Sequence, residues 1–268
     1  MSAERRTLES TLSRSNLTGP GDKYEYRPTA VMPDVKVVKI GGQSILDRGR
    51  AALFPILDEI VEARRTYGVQ VVLLTGGGTR ARHIYSIASE LEVPTGVVAT
   101  LGKYIPMQNA RMLQMLLAKH GGLYILPDDF EKLPLYMQMG CIPIMSGMPP
   151  FGYWEKREEG SRIPPHRTDA GVFLSAEFLG SRRAIYIKDE DGLYTDDPKK
   201  NPAATHIPRI TAKELQDKGL PDLVVERVVV EYVQRSQWCK ELQILNGLVP
   251  GQVLAALRGE DVGTIITG

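Results

Sequence analysis

Three stretches of the chain join glycines or carboxylates to a lysine at spacings that suit the handling of phosphate. In "VVKIGGQSILDRG" (37–49) a β-branched run ends in Lys39, Gly41 and Gly42. In "TGGGTRARH" (75–83) Gly76, Gly77 and Gly78 end an apolar run and directly precede a helical pattern, which points backbone N–H groups and a helix dipole at an anion. In "IKDEDGLYTDDPKKNP" (187–202) Lys188 runs into Asp189, Glu190, Asp191, Gly192, Tyr194 and Asp197. A lysine offers phosphate a point charge, and neighbouring carboxylates suit Mg²⁺ or a ribose. Each stretch alone also has a plainer reading, a tight turn for the glycines and a solvated loop for the acids. Neither glycine stretch fits GxGxxG followed by an acidic residue, or GxxxxGK[ST], which disfavours a Rossmann dinucleotide site and a P-loop.

The elements that must position these groups alternate in type. Strand patterns cover 35–40, 69–75, 122–127, 141–147, 183–189, 242–247 and 262–267, and "VQVVLLT" is apolar throughout, as a strand buried on both faces is. Helical spacing covers 49–68, 79–93, 106–121, 169–180 and 224–241, and Thr211 can cap a helix over 212–219. Strands alternating with helices predict an α/β chain with a mostly parallel sheet covered on both faces. In an open α/β sheet the C-terminal end of a strand, where Lys188 falls, is where ligands bind. Residues 1–34 read as an extension or arm and 35–268 as one domain with two functional halves, 35–180 and 181–268.

Composition narrows the partners. With 33 basic and 32 acidic residues the chain has no charge excess to hold nucleic acid or an anionic membrane surface. No apolar run approaches the ~18 residues of a membrane span, and residues 1–28 lack the apolar core of a secretory signal, so a cytoplasmic location is expected. Cys141 and Cys239 are isolated and suggest neither a disulfide scaffold nor a zinc site.

Taken together, the motifs resemble those of the amino acid kinase family and, within it, the bacterial-type uridylate kinases. The resemblance runs from about residue 35 to the end: K-x-G-G at Lys39–Gly42, GGG-x-x-x-R at Gly76–Arg82, T-D-A at Thr168–Ala170, K-D-x-D-G-L-Y-T-x-D-P at Lys188–Pro198, and "NGLVPGQVLAALRGEDVGTIIT" at 246–267. It implies a three-layer αβα sandwich with a mostly parallel central sheet, binding ATP and Mg²⁺. It further implies catalytic roles for Lys39, Asp169 and Lys188, with Asp169 orienting the lysines or holding the metal. Gly41, Gly42, Gly76 and Gly77 would surround the phosphates. Asp189 and the loop from Asp191 through Gly192 to Asp197 would hold the nucleotide, with Tyr194 against base or ribose. Positioning and charge do nearly all the work of phosphoryl transfer, which suits such a set.

The acceptor side departs from the uridylate kinase pattern. His83 replaces a glycine, Thr79 an asparagine, Ala99 the aspartate that reads the nucleoside, and Arg167-Thr168-Asp169 a Thr-Thr-Asp. With "KIGGQSILDRGRAA", "TRARHIYSIA", "SGMPP", "IPPHRTDAG", "KDEDGLYT" and "NGLVPG", these departures resemble the molybdenum/tungsten storage protein subunits, the beta type more than the alpha. That resemblance implies a hexamer, built with a related second subunit type or with itself, which packs molybdate or tungstate clusters as cargo at the expense of ATP. Such cargo needs an oxyanion-tolerant wall: Arg82, His83, His166 and Arg167, with Arg80, Gln108 and Asn109 beside them. A neutral imidazole nitrogen ligates metal and a charged imidazole binds an oxoanion. The plainer reading of His83 is a helix-surface residue; His120 and His206 read as structural, and the methionines as packing. Two further functions compete with storage: a small-molecule kinase acting on UMP or a similar acceptor, and a nucleotide-binding regulatory subunit without turnover.

Overall fold

A computed structural model describes residues 29–198, 200–220 and 223–268. The segment read as an arm lies outside the described residues except for 29–34. The central sheet is built around β1 (Lys36–Ile40), whose sequence KVVKI favours an extended backbone. It pairs in parallel with β2 (Val71–Thr75) on one side and with β5 (Arg183–Lys188) on the other. Beyond β2 lie β4 (Ile142–Ser146) and β3 (Gly122–Tyr124); beyond β5 lie β9 (Glu241–Asn246), β10 (Thr264–Thr267) and β8 (Arg209–Thr211). The eight-stranded order is therefore β3-β4-β2-β1-β5-β9-β10-β8, and only the β9–β10 pair is antiparallel. A separate two-stranded ribbon, β6 (Leu193–Tyr194) with β7 (His206–Ile207), folds back from the end of β5.

The two-residue period of the strands divides two cores and fixes where the lysines point. Val38 and Ile40 of β1, with Ile185 and Ile187 of β5, pack on one face. There they meet α1 (Arg50–Tyr67), α3 (Thr95–Leu116) and α8 (Gln252–Leu257). Val37 and Tyr186 face the opposite core, against α4 (Leu133–Gln138), α5 (Thr168–Leu179), α6 (Ala212–Lys218) and α7 (Arg227–Arg235). Lys39 and Lys188, two residues on from Val37 and Tyr186, share that second face at the C-terminal edge of the sheet. The remaining helix, α2 (Gly78–Glu90), follows the glycines of β2. The result is the three-layer αβα sandwich with a mostly parallel sheet that the sequence implies.

Two helices differ from the sequence expectation. The helix placed at 106–121 begins eleven residues earlier, at Thr95, and carries Pro106 inside it. Pro106 removes an N–H from the ladder, but its carbonyl accepts the Thr75 hydroxyl (2.6 Å) from β2. Gly102, one turn back, leaves room for the Tyr85 ring of α2, so neighbours on both sides keep the helix continuous. The helix expected at 224–241 is shorter, Arg227–Arg235, because the Glu177 carboxylate captures the N–H groups of Gln237, Trp238 and Cys239 (2.6, 3.0 and 2.7 Å) and holds them out of the spiral. Thr211 does cap α6, in a reciprocal pair with Glu214.

Candidate functional site

The chain leaves β1 in opposite senses on its two sides, toward β2 and later back to β5. A crevice opens at the C-terminal ends of these strands, the switch point where doubly wound sheets bind ligands. It is a cleft of about 1500 Å³. Lys39, Asp169, Lys188, Gly41, Gly42, Gly76, Gly77, Asp189, Gly192, Tyr194, Asp197, Arg82 and Arg167 all line it. Asp191, His83 and His166 do not.

At its floor, Asp169 in the first turn of α5 lies between the two lysines. Its Oδ1 pairs with Lys39 Nζ and stands 3.4 Å from Lys188 Nζ, while Oδ2 accepts the Glu226 N–H at 3.2 Å. Lys39 and Asp169 are both buried. Burial works against the charge of Asp169, yet Lys188 and Lys39 outweigh it and hold the carboxyl well below the usual carboxylate range. Burial also lowers the Lys39 pKa from its ordinary 10.5, against the pull of Asp169 and Glu226. The Tyr186 hydroxyl, on the same face of β5 as Lys188, donates to the Asp169 carbonyl (3.1 Å).

The glycines allow two loops to meet. A Cβ on Gly42 would fall 2.1 Å from the Gly78 nitrogen, and one on Gly76 2.5 Å from the Gly42 nitrogen. The Gly41 and Gly76 N–H groups are spent within the sheet, on the carbonyls of Ile187 and Ile40 (3.0 Å each). Those of Gly42 and Gly77 donate to no described residue. "QSILDRGR" has a mechanical part as well: Asp47 accepts the Thr79 N–H (2.7 Å) at the start of α2, and Arg48 pairs with Asp189 across the cleft. Asn109 braces the second loop by donating to the Gly76 carbonyl (2.7 Å), and its own oxygen accepts from Arg80. Asp191 faces the ribbon, where its carboxylate accepts Asn246 Nδ2 (3.0 Å) and the Tyr194 hydroxyl (3.2 Å).

The acceptor side is built differently. Arg82 and His83 are exposed on α2 and donate to no described residue. Arg167 is half-buried, its guanidinium on the Pro164 carbonyl (3.0 Å) and 3.7 Å from Glu226. Both ring nitrogens of His166 are engaged, Nδ1 with Glu155 (2.8 Å) and Nε2 with the Tyr232 hydroxyl (2.5 Å). Glu226 and Glu155 belong to the site's surroundings but were not among the residues expected from the sequence. Nothing local marks either of them, because their partners lie 57 and 11 residues away.

For a divalent cation the donor set is sparse: among the described residues no group of three or more His, Cys, Asp or Glu is placed to share one. Asp169 has both oxygens committed. Asp189, paired with Arg48 through one oxygen, and Glu190 lie on the cleft wall, which fits a magnesium carried in on nucleotide phosphates, since that ion needs only one or two protein carboxylates.

Paired lysines bridged by a buried aspartate, at the switch point of a mostly parallel sheet, define the class: a doubly wound α/β protein with a lysine-floored, phosphate-compatible cleft. The chain belongs to the amino acid kinase family, whose model matches residues 34–231. It is 47% identical over 263 residues, 97% of each chain, to the molybdenum storage protein subunit beta of Azotobacter vinelandii. To the uridylate kinase of Methanocaldococcus jannaschii it is 27% identical, covering 87% of this chain and 99% of that one. The crystal structure of the uridylate kinase from Archaeoglobus fulgidus superposes with a TM-score of 0.59 at 26% identity, over 87% of this chain and all of that one.

Proposed function

We propose that the chain is a storage subunit that binds ATP with Mg²⁺ and uses its hydrolysis to load molybdate or tungstate into polyoxometalate clusters inside an oligomeric cage. The observation that carries this reading is the near full-length similarity to a molybdenum storage subunit, combined with a cleft that keeps the lysine–aspartate floor of a kinase. Ala99, where the resemblance to uridylate kinases expects a nucleoside-reading aspartate, is buried in α3 and offers no polar group, which disfavours UMP as an acceptor. Residues 181–268 supply the nucleotide half and 35–180 the acceptor half. The cage is a hexamer made with a related second subunit type or with copies of this chain, and it works in the cytoplasm.

In this reading the γ-phosphate lies against Lys39 and Lys188. A water oxygen bonds to phosphorus as the bond to the bridging oxygen breaks; ADP leaves with the bridging oxygen, phosphate leaves with the water oxygen, and the proton the water loses passes to solvent. Lys39 and Lys188 neutralise the charge that builds on the transferring group, Asp169 holds both ammonium groups in place, and the free N–H groups of Gly42 and Gly77 hold phosphate oxygens. Asp189 and Glu190 would hold the magnesium, whose charge would offset that of the phosphates. Arg82 and Arg167 face the oxoanion cargo.

The test is to incubate the purified oligomer with ATP, Mg²⁺ and molybdate, pass it over a sizing column, and measure bound Mo by elemental analysis. Retention that needs hydrolysable ATP, and that is abolished in Lys188→Ala, is expected. Phosphorylation of UMP without retained Mo would replace storage with the kinase reading.

A further inference from the structure

Glu226 has no part in the reading above, yet it holds two residues of the cleft, Arg167 and Asp169, at once. It sits at the N-cap of α7, buried to 8% exposure. Its carboxylate accepts the N–H groups of Arg167 (2.9 Å), Asp169 (3.0 Å) and Ala170 (3.1 Å), donors at the start of α5 that a helix cannot satisfy itself. The residue at the N-cap of α5 is Arg167, whose side chain cannot accept a hydrogen bond, so the capping group must come from elsewhere. The favour is returned: Asp169 Oδ2 accepts the Glu226 N–H. The two helix starts thus cap each other through space, and the same bonds fix the Asp169 carboxylate with its other oxygen turned to the lysines. Glu59 and Glu177 also collect backbone N–H groups from remote segments, but neither touches the lysine pair.

We infer that Glu226 is a positioning residue for phosphoryl transfer: its carboxylate locks the start of α5, and with it Asp169, so that Lys39 and Lys188 share one aspartate. This rests on the ATP-hydrolysing reading. The charge of Glu226 counts as well as its shape. The charged groups that act on Lys39 are Asp169 on α5, Lys188 on β5 and Glu226 before α7. Burial and Asp169 push the Glu226 carboxyl up from its ordinary value, while Arg167, Lys39 and the Asp169 N–H favour its charged form. Removing one negative charge from this set disfavours the Lys39 ammonium and lowers its pKa further.

The experiment compares the assembled wild type with Glu226→Gln, which keeps one acceptor oxygen, and Glu226→Asp, which keeps the charge. ATP turnover is measured against pH, ATP affinity is measured separately, and Lys39 is titrated by competitive acetylation read on its peptide by mass spectrometry. For Glu226→Gln we expect turnover to fall at least about tenfold, as small misplacements in such sites do, with ATP affinity held within about twofold. The acetylation midpoint of Lys39 should fall by roughly half a pH unit in Glu226→Gln and return toward wild type in Glu226→Asp. Unchanged turnover together with an unmoved midpoint in Glu226→Gln would overturn the assignment. Acetylation needs no turnover: a wild type without ATPase activity, together with a Lys39 midpoint that still falls in Glu226→Gln, would retain the placement of Glu226 and remove the ATP-driven reading instead.

Discussion

The floor of the cleft and its acceptor wall are made of the same kinds of residue, cations beside carboxylates, but to opposite standards. On the floor, Lys39 and Asp169 are buried, and a network from β1, β5, α5 and α7 holds every charged group in one geometry. On the wall, Arg82 stands exposed on α2 without a partner among the described residues, and His83 beside it is exposed outside the cleft lining. A buried charge must be paired before the chain can fold, whereas an exposed one is free to be chosen for a ligand. The floor is therefore braced by its own pairs, whereas in the proposed function the wall is left free for selectivity.

The sharpest way to break that contrast is Asp169→Ala. It leaves two lysines facing each other in a buried site, and removing one partner of a buried pair costs about 3–5 kcal/mol. A matching drop in the denaturant midpoint, with complete loss of ATP turnover, is expected; near-wild-type stability would show that the floor is not braced as described. The same group sets a pH dependence. Asp169 binds its proton more weakly in the folded chain than in the unfolded one, so in acid the unfolded state binds more protons. Its contribution to stability is complete above 3.8, the ordinary aspartate value, and drains as pH falls toward the lowered folded value. In Asp169→Asn the unfolding free energy should lose that acid slope.

The two regions were unequally legible. Lys39, Gly42, Gly76 and Lys188 could be read because each lies at or just past the C-terminal end of a strand, and in an open sheet that end is where ligands bind. The Thr211 cap was legible from its residue type and place before a helical pattern, and the structure adds Glu214 as its reciprocal partner. Glu226 was hidden because its three bonds reach back 56 to 59 residues. The start of α3 was hidden because Pro106 looks like a first-turn proline, and only the packing of Thr75 and Tyr85 keeps the helix intact through it. His166 carries no sequence signal that separates a ligand from a braced side chain; its two partners, Glu155 and Tyr232, do.

On the wall the expected effects are smaller in stability and selective in function. Arg82→Ala and His83→Ala remove exposed side chains, so each should shift unfolding by no more than about 0.5 kcal/mol. If the wall faces the cargo, Arg82→Ala lowers the Mo retained per subunit while the rate of ATP hydrolysis stays near wild type, because Arg82 touches none of the floor residues. A parallel fall in both would mean that floor and wall are one unit, and the contrast between them would collapse.

His166 tests the boundary between the two, and at the smallest scale. It lies one residue before Arg167, yet both of its ring nitrogens are bonded, and the stacked Tyr232 ring belongs to α7. The tautomer that satisfies both contacts has Nδ1–H donating to Glu155 and Nε2 accepting from the Tyr232 hydroxyl. A histidine held in this way ties the segment before α5 to α7, and so keeps Glu226 over the start of α5. To ligate a metal through Nε2 it must first lose Tyr232. Tyr232→Phe removes only the hydroxyl and keeps the ring. A brace then predicts a loss of about 1 kcal/mol, the worth of one ordinary hydrogen bond, with retained Mo unchanged. A ligand predicts the reverse: the freed nitrogen binds more Mo, and the melting temperature rises in the presence of molybdate relative to wild type. The first outcome is expected, because the Glu155 carboxylate is itself buried and needs the imidazole as its partner.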